Sequence, residues 1–306
     1  MTVVRGLDSV DIGILRALEK DCRVSYQELG RELGMTANAV KKRMNRLVES
    51  GTIHYYAVYL DYAMADVVSY IALIQTQGKH REREILAEIV EDSHVYSVGM
   101  LSDGGCIIFA QYDRSEAPGV FEEFLRSIGG VRDIEVHREL TSEGSVVEFS
   151  PLQVRVLRCL LEDARMPTTE IAARTGLTPR RVRRLLSQLK EGGGLRFVAR
   201  VNLNVDPGVT YYAQIRWDEK KTDQNTVMRW LEKEFPGKYY DSHVSASAPM
   251  MLSVFVIEHL RDAETLSRQI CLNPVIASVQ TLFPFPAKKK PRLQRTRLEE
   301  LLSSPP

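Results

Sequence analysis

Arg180, Arg181, Arg183 and Arg184 stand within five positions of one another, and no acidic residue follows until Glu191. On a helix, like charges three and four residues apart repel by a few tenths of a kcal/mol per pair. No local carboxylate offsets that cost here, whereas a phosphate backbone would. The guanidinium is also a planar fork of donors that matches phosphate oxygens and the O6/N7 edge of guanine. The pattern therefore predicts contact with duplex DNA, with Arg180 and Arg181 near the backbone and Arg183, Arg184 and Ser187 toward base edges. Arg196 and Arg200 follow in a β-rich stretch beside them. An earlier segment offers a milder version of the same face, with Asn38, Lys41, Lys42, Asn45 and Arg46 outward. Thr36 and Thr178 each precede such a segment, where a helix N-terminus presents free N–H groups to phosphate.

Catalytic chemistry needs a constellation that this sequence does not offer. His54, His80, His94, His137, His243 and His259 are scattered, and no HExxH, GxSxG or Walker-type loop occurs. No catalytic residue, metal ligand or cofactor is expected. Cys22, Cys106, Cys159 and Cys271 never form a CxxC, which argues against a zinc site or a disulfide framework and for buried free thiols. No stretch approaches the ~18 unbroken apolar residues of a membrane helix, and the first residues lack a secretory pattern. A cytoplasmic location is expected, with no membrane partner.

The net charge of +1 hides a strong segregation. Residues 7–60 carry +1, 61–149 carry −10, 150–200 carry +7, 201–287 carry −2 and 288–306 carry +4. Such asymmetry predicts that 150–200 and the C-terminal tail meet a polyanion while the acidic middle does not.

The elements that must position these residues repeat themselves at a shift of 142. Ile14-Leu15, Leu18, Asp21-x-Arg23, Glu28-Leu29, Gly34-Met35-Thr36, Val40, Leu47 and Gly51 return as Val156-Leu157, Leu160, Asp163-x-Arg165, Glu170-Ile171, Gly176-Leu177-Thr178, Val182, Leu189 and Gly193. Each copy reads as three helices. The second opens on a capping box, Ser25-x-x-Glu28, in one copy and on Thr168 after Pro167 in the other. The third follows Gly-x-Thr, with Pro179 at its first position in copy two. A helix, a short glycine turn and a second capped helix form a helix-turn-helix. The β-rich stretches at 52–60 and 195–203 are each expected to supply a wing hairpin. The following ~85 residues of each copy read as βαββαβ, the ferredoxin-like order, with two helices on one face of an antiparallel sheet. Its other face needs cover, usually from another sheet.

The run Leu7-Asp8-x-x-Asp11-x-x-Ile14-Leu15-x-x-Leu18-x-x-Asp21-x-Arg23, continued by Glu28-Leu29, Gly34-Met35-Thr36, Ala39-Val40, Arg43-Met44, Leu47 and Gly51-x-Ile53, resembles the N-terminal signature of the Lrp/AsnC (feast/famine) transcription regulators. The second copy is similar but lacks the opening Leu-Asp and the arginine equivalent to Arg43. The resemblance implies that the βαββαβ parts are effector-binding and oligomerisation modules of the type called RAM, which pair sheet on sheet. A single family member has about half this length, so the chain looks like two fused in one, a form that suggests an archaeal source. Family effector sites lie at a Gly-Asp-x-Asp turn. The corresponding Gly99, Ser102 and Asp103 are therefore weak effector candidates, and copy two, with Val244-Ser-Ala-Ser-Ala-Pro249, keeps neither glycine nor aspartate.

The fold class expected is α+β, two tandem repeats of a winged helix-turn-helix followed by a ferredoxin-like domain. The boundaries are 1–60 and 61–149 for the first pair, 150–203 and 204–286 for the second, and 287–306 for a basic, disordered tail. An intrachain pseudo-dimer of the halves is expected, with a further homodimer to cover Tyr211, Tyr212 and Met250-Met251. Two alternatives to a sequence-specific regulator stay open. One is an architectural DNA-binding protein. The other is a siroheme-decarboxylase-like enzyme of the same architecture, whose strand after the third helix typically begins Arg-x-Gly-Ala where this chain has His54-Tyr-Tyr-Ala57 and Phe197-Val-Ala199.

Overall fold

The computed structural model describes residues 6–77, 82–116, 119–141, 143–204, 208–285 and 288–303. The first copy runs α1 (Ser9–Lys20), α2 (Tyr26–Glu32), α3 (Ala37–Glu49), β1 (Ile53–Leu60), β2 (Val67–Thr76), α4 (Glu82–Glu91), β3 (Val95–Met100), β4 (Cys106–Asp113), α5 (Val120–Ser127) and β5 (Val131–Arg138). The second runs α6 (Pro151–Glu162), α7 (Thr168–Thr175), α8 (Pro179–Glu191), β6 (Leu195–Val201), β7 (Val209–Trp217), α9 (Gln224–Glu234), β8 (Tyr239–Val244), β9 (Met250–Ile257), α10 (Leu260–Cys271) and β10 (Ile276–Leu282). β11 (Lys288–Lys289) and α11 (Leu293–Ser303) end the chain. These elements gather into two compact units that each draw on both copies. One holds Leu7–Asp66, Ser142–Val205 and Gln294–Pro306, the other Val67–Thr141 and Asp206–Leu293.

In the helical unit, local signals start and stop each helix. Asp8 and Asp11 close a capping box on α1, and Ser150 and Gln153 do the same for α6 behind Pro151. Each satisfies N–H groups that a helix start leaves without an intrahelical partner. The apolar stripes Ile12, Ile14, Leu15 and Leu18 of α1, and Val156, Leu157 and Leu160 of α6, are fully buried. The stretches expected to form wing hairpins do not: β1 and β6 pair with each other, antiparallel, from Leu60 opposite Leu195 to Ile53 opposite Val201. Among the described residues of the helical unit each copy contributes one strand, and the two strands form its ladder. The helix ends are stitched to the same ribbon, Cys22 N–H to the Phe197 carbonyl (2.8 Å) and Ala164 N–H to the Tyr56 carbonyl (3.3 Å).

Within the tail expected to be disordered, residues 288–303 are folded, and 287 and 304–306 lie outside the described residues. Gln294, Leu298 and Leu302, four residues apart, make one buried face of α11. The tail's basic composition concealed this because its arginines serve backbone acceptors. Arg295 donates to the carbonyls of Val58 (3.2 Å) and Leu161 (2.8 Å), and Arg297 to that of Ala65. Arg158 caps the far end through the Leu302 carbonyl (2.9 Å).

The sheet unit holds two ferredoxin-like layers, ordered β11-β3-β4-β2-β5 and β10-β7-β9-β8. Strand alternation sorts the side chains by face. Tyr70, Ala72 and Ile74 of β2 pack with Ile108, Ala110 and Tyr112 of β4 against Ile85, Ile89, Phe121 and Leu125 of the helices. Their alternates Ile71, Ile107 and Phe109 face the other way and join Met250, Leu252, Leu282 and Tyr212 of the second copy. The two sheets thus cover one another within one chain. This removes the apolar surface expected to call for a homodimer, since Tyr211, Met250 and Met251 are fully buried and Tyr212 packs in the seam. The strand ends cross as well: Leu140 N–H donates to the Val244 carbonyl (2.7 Å) and Phe285 N–H to the Met100 carbonyl (2.8 Å). Of the four cysteines expected to be buried, Cys22, Cys106 and Cys159 are, and Cys271 at the end of α10 is exposed.

Candidate nucleic-acid interface

Two helix-turn-helix motifs, α2–α3 and α7–α8, lie in the helical unit. Ser25 accepts from Glu28 N–H (3.1 Å) and Glu28 returns the bond to Ser25 N–H (3.0 Å), so the capping box of α2 forms. In copy two the N-cap of α7 is Pro167, which makes no side-chain bond, and Thr168 is the first helical residue rather than the cap. Gly34 (φ 64°) and Gly176 (φ 66°) take the left-handed turn that ends each first helix, a conformation that only glycine adopts without strain. Thr36 then caps α3 by accepting from Ala39 N–H (3.3 Å), and Thr178 caps α8 by accepting from Arg181 N–H (3.3 Å) behind Pro179.

Each third helix buries one stripe, Val40, Met44 and Leu47 on α3 and Val182, Leu185 and Leu189 on α8. The opposite faces carry the sequence-predicted residues into solvent. Asn38, Lys41, Lys42 and Asn45 are exposed on α3, and Arg180, Arg181, Arg183, Arg184 and Ser187 on α8. Ser187 donates to Glu191 (2.7 Å). Among the described residues, the side chains of the four arginines make no hydrogen bond or ion pair. Arg196 and Arg200 are half-buried on β6, Arg196 lying 5.4 Å above the Tyr62 ring and Arg200 opposite Tyr55 on β1.

Arg46 is placed differently. Its guanidinium meets the carboxylate of Asp11, a fully buried residue, while Arg43 bridges Asp8 (2.7 Å) and Asp11 (2.9 Å). Burial alone would raise the Asp8 pKa, but the hydrogen bonds from Arg43 and from the first turn of α1, with the Arg43 charge, outweigh it and hold the carboxyl below its usual range. Sequence reasoning missed this cluster. The available signal was an acid-x-x-acid cap on α1 together with arginines one helical turn apart on α3.

The weak effector candidates lie in the sheet unit, on the connection from β3 to β4. Asp103 closes the turn by accepting from Gly105 N–H (3.0 Å) and the Gln75 amide (3.1 Å), and Ser102 N–H donates to the Phe283 carbonyl (3.1 Å). Gly99 is pressed close to the backbone of Phe285, 3.4 Å from where a Cβ would sit.

The AsnC-type helix-turn-helix domain model matches residues 7–48, and a model described as winged helix-turn-helix DNA-binding matches 149–193. Uncharacterized HTH-type transcriptional regulators of Pyrococcus abyssi and Pyrococcus horikoshii are similar to one half of the chain. The first is 31% identical over 134 residues, 42% of this chain and 83% of its own length; the second is 32% identical over 134 residues, 43% and 89%. Among solved structures, the siroheme decarboxylase NirDL shares the fold end to end, with TM-score 0.54, 20% identity and coverage of 97% of this chain and 99% of its own. The same enzyme in complex with an iron-uroporphyrin III analogue gives a TM-score of 0.53 at 19% identity, over 95% of this chain and 98% of that one. With a family signature on its first copy, a helix-turn-helix on its second and relatives of this identity spanning most of their own length, the chain belongs to the AsnC-type (Lrp/AsnC) family of helix-turn-helix regulators, in a tandem-duplicated form.

Proposed function

We propose that the chain is a sequence-specific DNA-binding transcription regulator that reads duplex DNA with two unlike helices, α3 and α8, and catalyses no reaction. The observation that carries this reading is the exposed face of α8, where four arginines on the third helix of a helix-turn-helix have no protein partner among the described residues. Arg180 and Arg181, in the first turn, fit the phosphate backbone, as do the free N–H groups there. Arg183, Arg184 and Ser187 lie further along the helix, toward base edges, and Asn38, Lys41, Lys42 and Asn45 play these parts on α3. Binding to duplex DNA should fall steeply with salt, at ~0.9 in log–log slope per phosphate contact. Replacing Arg180, Arg181, Arg183 and Arg184 by alanine should abolish most of it, and unchanged affinity would refute the reading.

A cytoplasmic location and a homodimer spanning a longer operator belong to the same reading, the dimer checked by light scattering of the complex. Effector binding at Gly99, Ser102 and Asp103 is weakened because the Asp103 carboxylate already serves the turn. One observation favours a second reading: a siroheme decarboxylase matches the fold over the whole length. Titration with an iron uroporphyrin separates the two, since a saturable Soret shift would support the enzyme and none is expected of the regulator.

A further inference from the structure

We propose that Asp8 and Asp11 hold Arg43 and Arg46 off the DNA, so that α8 anchors the chain while α3 discriminates, and the chain sits on its operator in one direction. The proposal rests on the DNA-binding reading above and adds two specificity-setting residues that touch no DNA. The four positions that correspond in copy two are Ser150, Gln153, Leu185 and Gln188. There the N-cap of α6 is made by Ser150 and Gln153 without any carboxylate, so capping does not require the aspartates. What they add in copy one is charge. Asp11 is fully buried, and a buried carboxylate must be paired. Arg43 and Arg46 supply the partners, and a cation held this way has no counterion to release on binding.

The balance on the two reading faces follows. On α3 the cations left without a protein partner among the described residues are Lys41 and Lys42, flanked by the exposed amides Asn38 and Asn45. An asparagine amide pairs bidentately with adenine N6 and N7, whereas an arginine fork pairs with guanine O6 and N7. The half-site under α8 is therefore guanine-rich and carries most of the electrostatic affinity. The half-site under α3 contains adenine and contributes discrimination. An operator with unlike halves fixes which way round the chain lies.

The test is fluorescence anisotropy of the full chain with mixed-sequence and selected duplexes, from about 50 to about 200 mM salt, where each phosphate contact contributes ~0.9 to the slope, or roughly three- to fourfold in affinity over that range. Arg184→Gln is expected to lower the slope by ~0.9. Arg46→Gln is expected to leave it unchanged. Asp8→Ser with Asp11→Gln, which copies the chain's own second cap, is expected to steepen the slope by one to two contacts and to weaken preference at the α3 half-site. If circular dichroism shows that the double variant does not fold, the comparison of Arg46→Gln with Arg184→Gln decides the matter. Equal losses of slope in those two variants overturn the proposal, as does a selected operator in which the two half-sites read by one chain are identical. Wild-type protein with no salt-dependent binding to any duplex would overturn the DNA reading itself, and this proposal with it.

Discussion

Arg23 and Arg165, which occupy equivalent positions in the two copies, each reach into the other's loop. Arg23 donates to the carbonyls of Ala164 (2.7 Å) and Met166 (3.2 Å), and Arg165 to those of Cys22 and Val24 (3.1 Å). Arg165 also lies over the rings of Tyr26 (5.0 Å) and Tyr56 (5.8 Å). The Asp-x-Arg motif repeated in the sequence is thus a reciprocal clasp between the two helix-turn-helix motifs, and Asp21 and Asp163 turn each loop by accepting the arginine's own N–H.

Breaking one side of this clasp leaves partly buried carbonyls without their charged donor. Arg165→Ala is expected to destabilise the helical unit by about 2 kcal/mol, the scale of a hydrogen bond to a charged group. Urea unfolding followed by helical circular dichroism measures it. A change within error would mean that solvent replaces the arginine.

The C-terminal helix should matter as much as a core element. Leu298 is fully buried, and Leu298→Ala is expected to cost about 2–5 kcal/mol, the usual range for a leucine truncated in a packed site. Removing residues 292–306 should expose the Val58–Leu60 side of β1 to proteolysis. A truncated chain that melts like the full one would contradict the docking of α11.

Stability should vary with pH through the seam of the sheet unit. The Glu135 pKa is held at about 2, first by the hydrogen bond from His137 and then by Arg216, against the opposing effect of burial. A depressed carboxyl stabilises above its unfolded value near 4.5, and that stability is lost as the pH falls toward 2. His243 behaves in the opposite sense. Burial would lower its pKa, but Glu139, 2.7 Å away, outweighs this and raises it above 6.5. Its contribution is complete below pH 6.5 and fades as the pH rises through the raised value. Glu135→Gln should flatten the acid limb of the melting temperature against pH, and His243→Gln the limb above neutrality. Unaltered limbs would rule these pairs out as the source.

Thiol chemistry should be confined to one position. Burial pushes Cys22 and Cys106 up to about 12 and also raises Cys159, which suppresses their thiolates. Iodoacetamide on the native chain is expected to give a single adduct, at the exposed Cys271. Mass spectrometry showing a second native-state adduct would contradict that burial.

Much of this protein is written in short-range signals. The caps Ser25, Thr36 and Thr178, the turn glycines Gly34 and Gly176 and the stripes of α3 and α8 act within about one helical turn, where side-chain direction follows from helical periodicity. The βαββαβ order likewise implied one helix-covered and one open face for each ferredoxin-like sheet, and the repeat implied that one sheet would cover the other. Long-range pairing decided the rest. β1 took β6 as its partner from about 140 residues away, where the two strands satisfy one another's ladder groups. The basic tail became a docked helix because distant carbonyls accept from its arginines, a relation that composition cannot express. Arg46 read as a free cation beside Lys41 and Lys42, and its tie to Asp11, 35 residues earlier, appears only when α1 and α3 pack together. Periodicity determines which way a side chain points, but only packing decides whether a charge that points outward meets water or a carboxylate.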